Sequence, residues 1–131
     1  MREPIIVEAD DGFHFIATRS FAEISLEAID IENGIYTVYD ADGLKLDLAP
    51  APNGAGVISS PPMPQDCSAQ LIPKLREFLD RIGIPDPAVS GRSFQELVQL
   101  GVDRVLEREA EPFATRLWAA LRRLVNPRHT A

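Results

Sequence analysis

The sequence predicts an α+β fold: a small, mostly antiparallel sheet in the N-terminal half, packed against two or three C-terminal helices. Two observations carry this prediction. Residues 1–60 hold short runs of β-branched and aromatic residues between turns rich in Gly and Asp, with one short helix. Residues 61–131 instead place apolar residues three and four apart, as amphipathic helices do. A chain of 131 residues buries a core without disulfides or metal, so a single domain over 1–131 is expected.

The chain opens with two β-rich runs, "PIIVEA" and "GFHFIATR", separated by Asp10-Asp11-Gly12, which predicts a hairpin. Ser20 and Glu23 follow with capping-box spacing, so a short helix is expected to begin at Ser20 and end near residue 30. The spacing of three apolar residues supports this helix: Phe21, Ile24 and Ala28.

Residues 31–48, "IENGIYTVYDADGLKLDL", predict a second hairpin with a four-residue loop at 40–43. A calcium loop counted from Asp40 fails, because its fifth and twelfth positions are Leu44 and Ala51, which offer no side-chain oxygen. Asn33-Gly34 is either a tight turn or the left-handed cap of the preceding helix. The expected strand pairs are Tyr39 with Leu44, Thr37 with Leu46, and Ile35 with Leu48.

Residues 49–64 hold five prolines and predict a connector, with a short strand at Val57-Ile58. A helix bearing Leu75 and Leu79 follows; it is expected to start after Ser68, because Pro73 fits only a first turn, and to end at Gly83. A second capping box, at residues 93–96, opens another helix, and Pro112 marks the start of a last one.

No chemical motif is complete. The two histidines, His14 and His129, lack metal-ligand spacing to Cys67, the only cysteine. "NGAGV" lacks the Gly-Lys-Ser/Thr ending of a phosphate loop, and no Gly-x-Ser-x-Gly elbow exists. The acids show no sign of a buried carboxylate pair. We therefore expect no metal, no cofactor and no catalytic residue.

The charge is divided unequally along the chain. Residues 1–60 carry three basic side chains and eleven acidic ones, a balance of −8, whereas residues 61–131 carry ten and nine. An acidic field repels nucleic acid and anionic lipid and attracts basic partners. The arginine-rich segment from Thr115 onward is expected to dock its apolar stripe on the domain, so neither nucleic acid nor membrane is an expected partner.

The chain is expected in the cytoplasm. Its start, "MREPIIVEADD", has three consecutive apolar residues, where an export signal needs a stretch of about 7–15. A single cysteine forms no internal disulfide, which fits a reducing compartment.

Residues 25–46, "SLEAIDIENGIYTVYDADGLKL", followed by a helix near 71–82, resemble small bacterial immunity proteins of toxin–immunity loci. The resemblance implies a cytoplasmic, non-catalytic inhibitor of one cognate toxin. The prediction is thus a protein-binding module that engages a basic partner, such as a toxin domain, through an acidic face. The partner-binding residues expected to project from turns and strand ends are Asp10, Asp11, Glu32, Tyr36, Asp40 and Asp42.

Two other functions stay open. One is a small enzyme or ligand-binding protein with a pocket between sheet and helices and Tyr36 or Tyr39 at its rim. The other is a regulatory or scaffold homo-oligomer that assembles through helices in residues 94–125.

Overall fold

A computed structural model describes residues 1–105 of the chain. The chain has two compact units, Met1–Gly101 and Val102–Ala131. The first unit has the α+β fold predicted from the sequence. Of the second unit the described residues, 102–105, are helical. The helix predicted after Pro112 lies outside the described residues, and a single domain over 1–131 stays a prediction.

The central sheet has three antiparallel strands in the order β2-β1-β3. Strands β1 (Ile5–Ala9) and β2 (Gly12–Ile16) form the predicted opening hairpin, in which Ala9 pairs with Gly12 across a two-residue turn. Strand β3 (Thr37–Tyr39) pairs with the other edge of β1. The middle strand β1 is therefore hydrogen-bonded on both sides and supplies the three fully buried residues Ile5, Ile6 and Val7.

The early helix is two helices, α1 (Arg19–Ser25) and α2 (Ala28–Glu32), where the sequence predicted one. The predicted capping box at Ser20 is wrong. Thr18 caps α1, since its Oγ1 accepts from the backbone N–H of Phe21 at 3.2 Å. Glu23 instead accepts a hydrogen bond from the backbone N–H of Ile58 at 2.8 Å, which fixes α1 against a neighbouring strand.

The apolar residues of α1 divide between a buried and an exposed side. Ala22 and Leu26 are buried, whereas Phe21 and Ile24 are 64% and 75% exposed. Both pairs have a helical spacing, so the periodicity alone did not distinguish them. In the structure Ala22 and Leu26 belong to the core cluster, and the neighbouring Glu23 is hydrogen-bonded to Ile58 of the same cluster.

Asn33-Gly34 is a helix cap. Gly34 has φ +69°, its N–H donates to the Ile31 carbonyl, and the N–H of Ile35 donates to the Asp30 carbonyl. These two bonds define a Schellman motif, which satisfies carbonyls at the end of α2. The motif fixes where α2 stops and directs the chain into β3.

The second hairpin is shifted by one residue from the predicted register. Tyr39 pairs with Lys45, and the N–H of Leu46 donates to the Val38 carbonyl at 2.8 Å, so the loop has five residues, 40–44. A one-residue shift exchanges the two faces of a strand. Val38 and Leu46 consequently lie together in the core, while the side chain of Tyr39 lies on the opposite face.

The predicted connector contains most of a second small sheet. Strand β4 (Asp47–Pro50) pairs with β5 (Gly56–Ser59), so the predicted strand at Val57-Ile58 is confirmed. Ile58 enters the same core cluster as Val38 and Leu46.

The helices of the second half follow. Helix α3 (Ser68–Arg81) begins earlier than predicted and contains Pro73 in its interior. The proline is tolerated because it and Ala69, whose carbonyl loses its partner, are both exposed to water. Helix α3 ends in a second Schellman motif at Gly83, as predicted. A short helix α4 (Asp86–Val89) follows, and residues 94–101 form α5.

The predicted capping box of α5 is confirmed. The N–H of Glu96 donates to Ser93 Oγ at 3.2 Å, and the N–H of Ser93 donates to Glu96 Oε1 at 3.3 Å. Hydrogen bonds from Arg92 and Ser93 lower the pKa of Glu96.

The three-stranded sheet is covered on both faces. One face carries the core cluster shared with α1 and β5: Ile5, Val7, Ala22, Leu26, Val38, Leu46 and Ile58. The other face meets α3, where Phe13 packs edge-on against Phe78 with ring centroids 5.7 Å apart. On the same face Lys74 pairs with Glu8 at 3.1 Å.

Candidate protein-binding site

The structure separates the six predicted partner-binding residues into two groups at opposite ends of the sheet. Ile6 pairs with Tyr39 near one end of β1, and Glu8 pairs with Thr37 near the other. Tyr36 therefore lies at the end that carries the Asp10-Asp11 turn, and the 40–44 loop lies at the far end. The five residues of β1 span about 17 Å. The expected single acidic face does not form from these residues.

Tyr36 is the centre of the first group. Its hydroxyl donates to Asp30 Oδ2 at 3.3 Å, and its ring packs against the core cluster. Burial raises the pKa of Tyr36, and the charge of Asp30, the hydrogen bond to it, and the charges of Glu27 and Asp11 raise it further. The charged groups that act on this hydroxyl are thus carboxylates from α2 and from the first turn.

Asp11 has one partner in this group. Its Oδ1 lies 3.0 Å from His14 Nε2, and this hydrogen bond is the main cause of the lowered pKa of Asp11. Both side chains are largely exposed, so the pair adds little to stability.

The remaining acids of this end project into water. Asp10, Glu27 and Glu32 are exposed, and within residues 1–105 none of them forms an ion pair or a side-chain hydrogen bond. Arg81 approaches the first turn from α3 but lies over the ring of Phe78. We call the following six residues the acidic site: Asp10, Asp11, Glu27, Asp30, Glu32 and Tyr36.

At the opposite end, Asp40 stabilises its loop and does not project into water as predicted. It is 2% exposed, and its Oδ1 accepts from the backbone N–H groups of Asp42 and Leu44 at 2.9 and 3.0 Å. Its Oδ2 lies 3.4 Å from the backbone nitrogen of Arg2. Asp42 is paired with the Arg2 guanidinium at 2.8 Å. Neither carboxylate is therefore free to pair with a basic residue of a partner.

Tyr39 is buried between the sheet and α3. Its hydroxyl donates to Glu8 Oε1 at 3.1 Å, and burial followed by the charge of Glu8 raises its pKa well above the ordinary value. Two surface depressions of about 330 and 400 Å³ lie elsewhere, one lined by Met1, Glu3 and residues 18–20, the other by residues of α3 with Val89. Neither tyrosine lines either of them.

Within residues 1–105 the remaining reactive side chains do not form a site. Cys67 is a buried thiol at the start of α3. Among residues 1–105 no three His, Cys, Asp or Glu side chains are placed to hold a metal ion. In that same part of the chain, no helix is both long enough and apolar enough to cross a bilayer. His129 lies outside the described residues.

Sequence reasoning missed Glu27 and Asp30. Their place depends on where α2 begins and ends, and the sequence left Asn33-Gly34 open between a turn and a cap. If Asn33-Gly34 is taken as a helix cap, Asp30 lies near the end of that helix and six residues before Tyr36. Its carboxylate is then within reach of the Tyr36 hydroxyl.

Comparison of the chain with protein-family models, with curated proteins and with solved structures gives no match.

Proposed function

We propose that the protein is a non-catalytic module that binds a basic partner protein at the acidic site. The observation that supports this most directly is the set of carboxylates that acts on Tyr36, together with three exposed acids, Asp10, Glu27 and Glu32, that form no ion pair within residues 1–105. A partner that brings lysine or arginine to this surface supplies the missing counter-charges. The proposal moves the binding surface away from Asp40 and Asp42, which are occupied within the chain.

The charge acts mainly on the rate of association. A local negative field steers a basic protein toward the surface and raises the association rate constant, and salt screens this effect. Exposed acids of this kind add little affinity individually, because they remain solvated in the free protein. Affinity must come from desolvated contacts nearer the centre of the interface.

The particular form of the proposal is a toxin-neutralising immunity protein acting in the cytoplasm. Its support is the resemblance of residues 25–46, together with the physical match between an acidic site and the positive surfaces by which nucleases hold phosphate. Fast association suits an inhibitor of a lethal enzyme. A reading frame for a large secreted toxin beside this gene would strengthen the proposal.

The binding module is favoured over an enzyme or a small-ligand protein by two observations. Tyr36 and Tyr39 both hydrogen-bond to carboxylates of the chain and line neither depression. Asp40, a buried carboxylate, accepts hydrogen bonds from its own loop and lines neither depression. A homo-oligomer built on residues 94–125 depends mostly on residues outside the described part.

Capture of partners from the native organism tests the proposal. The wild type, a variant combining Asp10→Asn, Glu27→Gln and Glu32→Gln, and the control Asp42→Asn serve as baits at low and high salt. We expect a basic protein to be recovered with the wild type and the control, less of it at high salt, and least with the triple variant. Recovery of no basic protein, or capture indifferent to salt and to the three acids, contradicts the proposal.

A further inference from the structure

The solvent side of α1 and α2 carries three large apolar side chains that the fold does not bury. Phe21 and Ile24 are 64% and 75% exposed on successive turns of α1, and Ile29 is 63% exposed on α2. Residues three apart on a helix are neighbours, so Phe21 and Ile24 form one contiguous patch. The opposite sides of both helices contribute Ala22, Leu26 and Ile31 to the core cluster, so the exposed residues point away from it.

The charge around these residues is one-sided. Residues 19–32 carry one basic side chain, Arg19, against four acids, and Arg19 lies 4.0 Å from one of them, Glu23. Ile29 lies on the same five-residue helix as Asp30 and Glu32, and Glu27 is the N-cap residue of that helix. Exposed apolar side chains with acids nearby in the sequence are complementary to apolar side chains flanked by bases.

We infer that Phe21, Ile24 and Ile29 form the apolar anchor of the interface and that they receive an amphipathic segment of the partner, with apolar side chains at helical spacing flanked by Arg and Lys. This inference rests on the proposed function and specifies the chemistry of the partner. It also revises which aromatic residue anchors the contact. Tyr36 packs against the core cluster, whereas most of the Phe21 ring remains in water until a partner covers it.

Charge argues against a second copy of the chain as the occupant. In an isologous dimer the patch and its acids would meet the same patch and the same acids. Like charges brought together in this way oppose association. A basic segment meets the same surface with attraction on every side.

Titration of labelled synthetic peptides into the full-length chain tests the inference. One peptide of about four helical turns carries leucines at helical spacing with Arg and Lys on its flanks, and a second has the same composition in scrambled order. A double variant, Phe21→Ser with Ile24→Ser, removes two of the three anchor residues. Met63→Ser is the matched control, because Met63 is a highly exposed apolar residue of the connector.

We expect the patterned peptide to bind at least about tenfold more tightly than the scrambled one, and the double variant to lose about tenfold or more of that affinity. The control should bind as the wild type does. All residues changed are exposed, so unfolding midpoints should stay close to that of the wild type and loss of the fold does not explain the loss of binding.

Three results overturn the inference. Equal affinity for both peptides means that the protein recognises only the charge of the peptide and not its apolar pattern. That result leaves the proposed function standing. Equal affinity of the wild type and the double variant places the contact elsewhere on the chain. A dimer in light scattering that the double variant abolishes shows a second copy on the patch. Failure of the proposed function is decided separately, by the capture experiment, which does not depend on these peptides.

Discussion

Replacement of Asp40 should destabilise the chain far more than replacement of its neighbour Asp42. Asp40 is 2% exposed, and its Oδ1 accepts two backbone hydrogen bonds, at 2.9 and 3.0 Å, that close the 40–44 loop. Asp40→Ala leaves both N–H groups without that acceptor. An unsatisfied buried donor costs about 1–3 kcal/mol, so the loss of both acceptors should lower the free energy of unfolding by about 2–6 kcal/mol.

Two further variants separate the hydrogen bonds from the charge. Asp40→Asn keeps an oxygen at the Oδ1 position but loses its charge, and hydrogen bonds to a neutral acceptor are weaker, so we expect a cost of about 1–2 kcal/mol. Asp42→Ala removes a largely exposed ion pair with Arg2 and should cost under about 1 kcal/mol.

Urea unfolding followed by circular dichroism measures all three variants, with equal m-values as the sign that the unfolded states are comparable. The expected order of destabilisation is Asp40→Ala, then Asp40→Asn, then Asp42→Ala. An Asp40→Ala variant no less stable than Asp42→Ala would refute the assignment of Asp40 to the loop and would reopen its predicted role in partner binding.

Three further predictions concern two glycines, the two tyrosines and the cysteine of the chain. In urea unfolding Gly34→Ala should cost about 1–2 kcal/mol from its positive φ alone, since nothing lies within 4 Å of the added Cβ. Gly43→Ala should cost more, because its Cβ would also lie 2.9 Å from the backbone of α3. Equal costs of the two substitutions would contradict the close approach of α3 to Gly43. The raised pKa of Tyr36 and of Tyr39 means that the folded chain holds both protons more tightly than the unfolded chain. Their contribution to stability is therefore complete below about pH 10 and is lost as the pH rises above it. Tyrosinate absorbance should therefore appear together with unfolding in an alkaline titration. Ionisation of the tyrosines in the chain while it is still folded would contradict the described contacts. Cys67 is the only thiol and is buried, so a thiol reagent should modify the native chain far more slowly than the urea-unfolded chain, and equal rates would contradict its burial.

Local signals predicted much of the fold. The Asp10-Asp11 turn, the helix end at Gly83 and the capping box at Ser93 each depend on residues close in sequence, and the structure shows all three. These three features are formed by residues close in sequence, so a single sequence is enough to predict them.

One error came from a long-range contact, and two came from local choices that the sequence left open. The capping box predicted at Ser20 does not form, because Glu23 accepts a hydrogen bond from Ile58, thirty-five residues away. The register of the second hairpin depends on the loop closed by Asp40, which forms a five-residue turn where four were expected. The acidic site was only partly predicted for the same reason: Asp11 and Tyr36 were identified, but the acids of α2 beside them depended on how that helix ends.

The most direct test of the proposed function is the association rate constant with the captured basic partner, measured by stopped flow at two salt concentrations. One variant combines Asp10→Asn with Glu32→Gln at the acidic site. The control combines Asp42→Asn with Glu77→Gln, exposed or partly exposed positions at the far end of the sheet and on α3, and changes the net charge equally. The acidic-site variant should associate at least about threefold more slowly than the control and depend less on salt. Equal rates and equal salt dependence in the two variants would contradict a partner-binding surface at the acidic site.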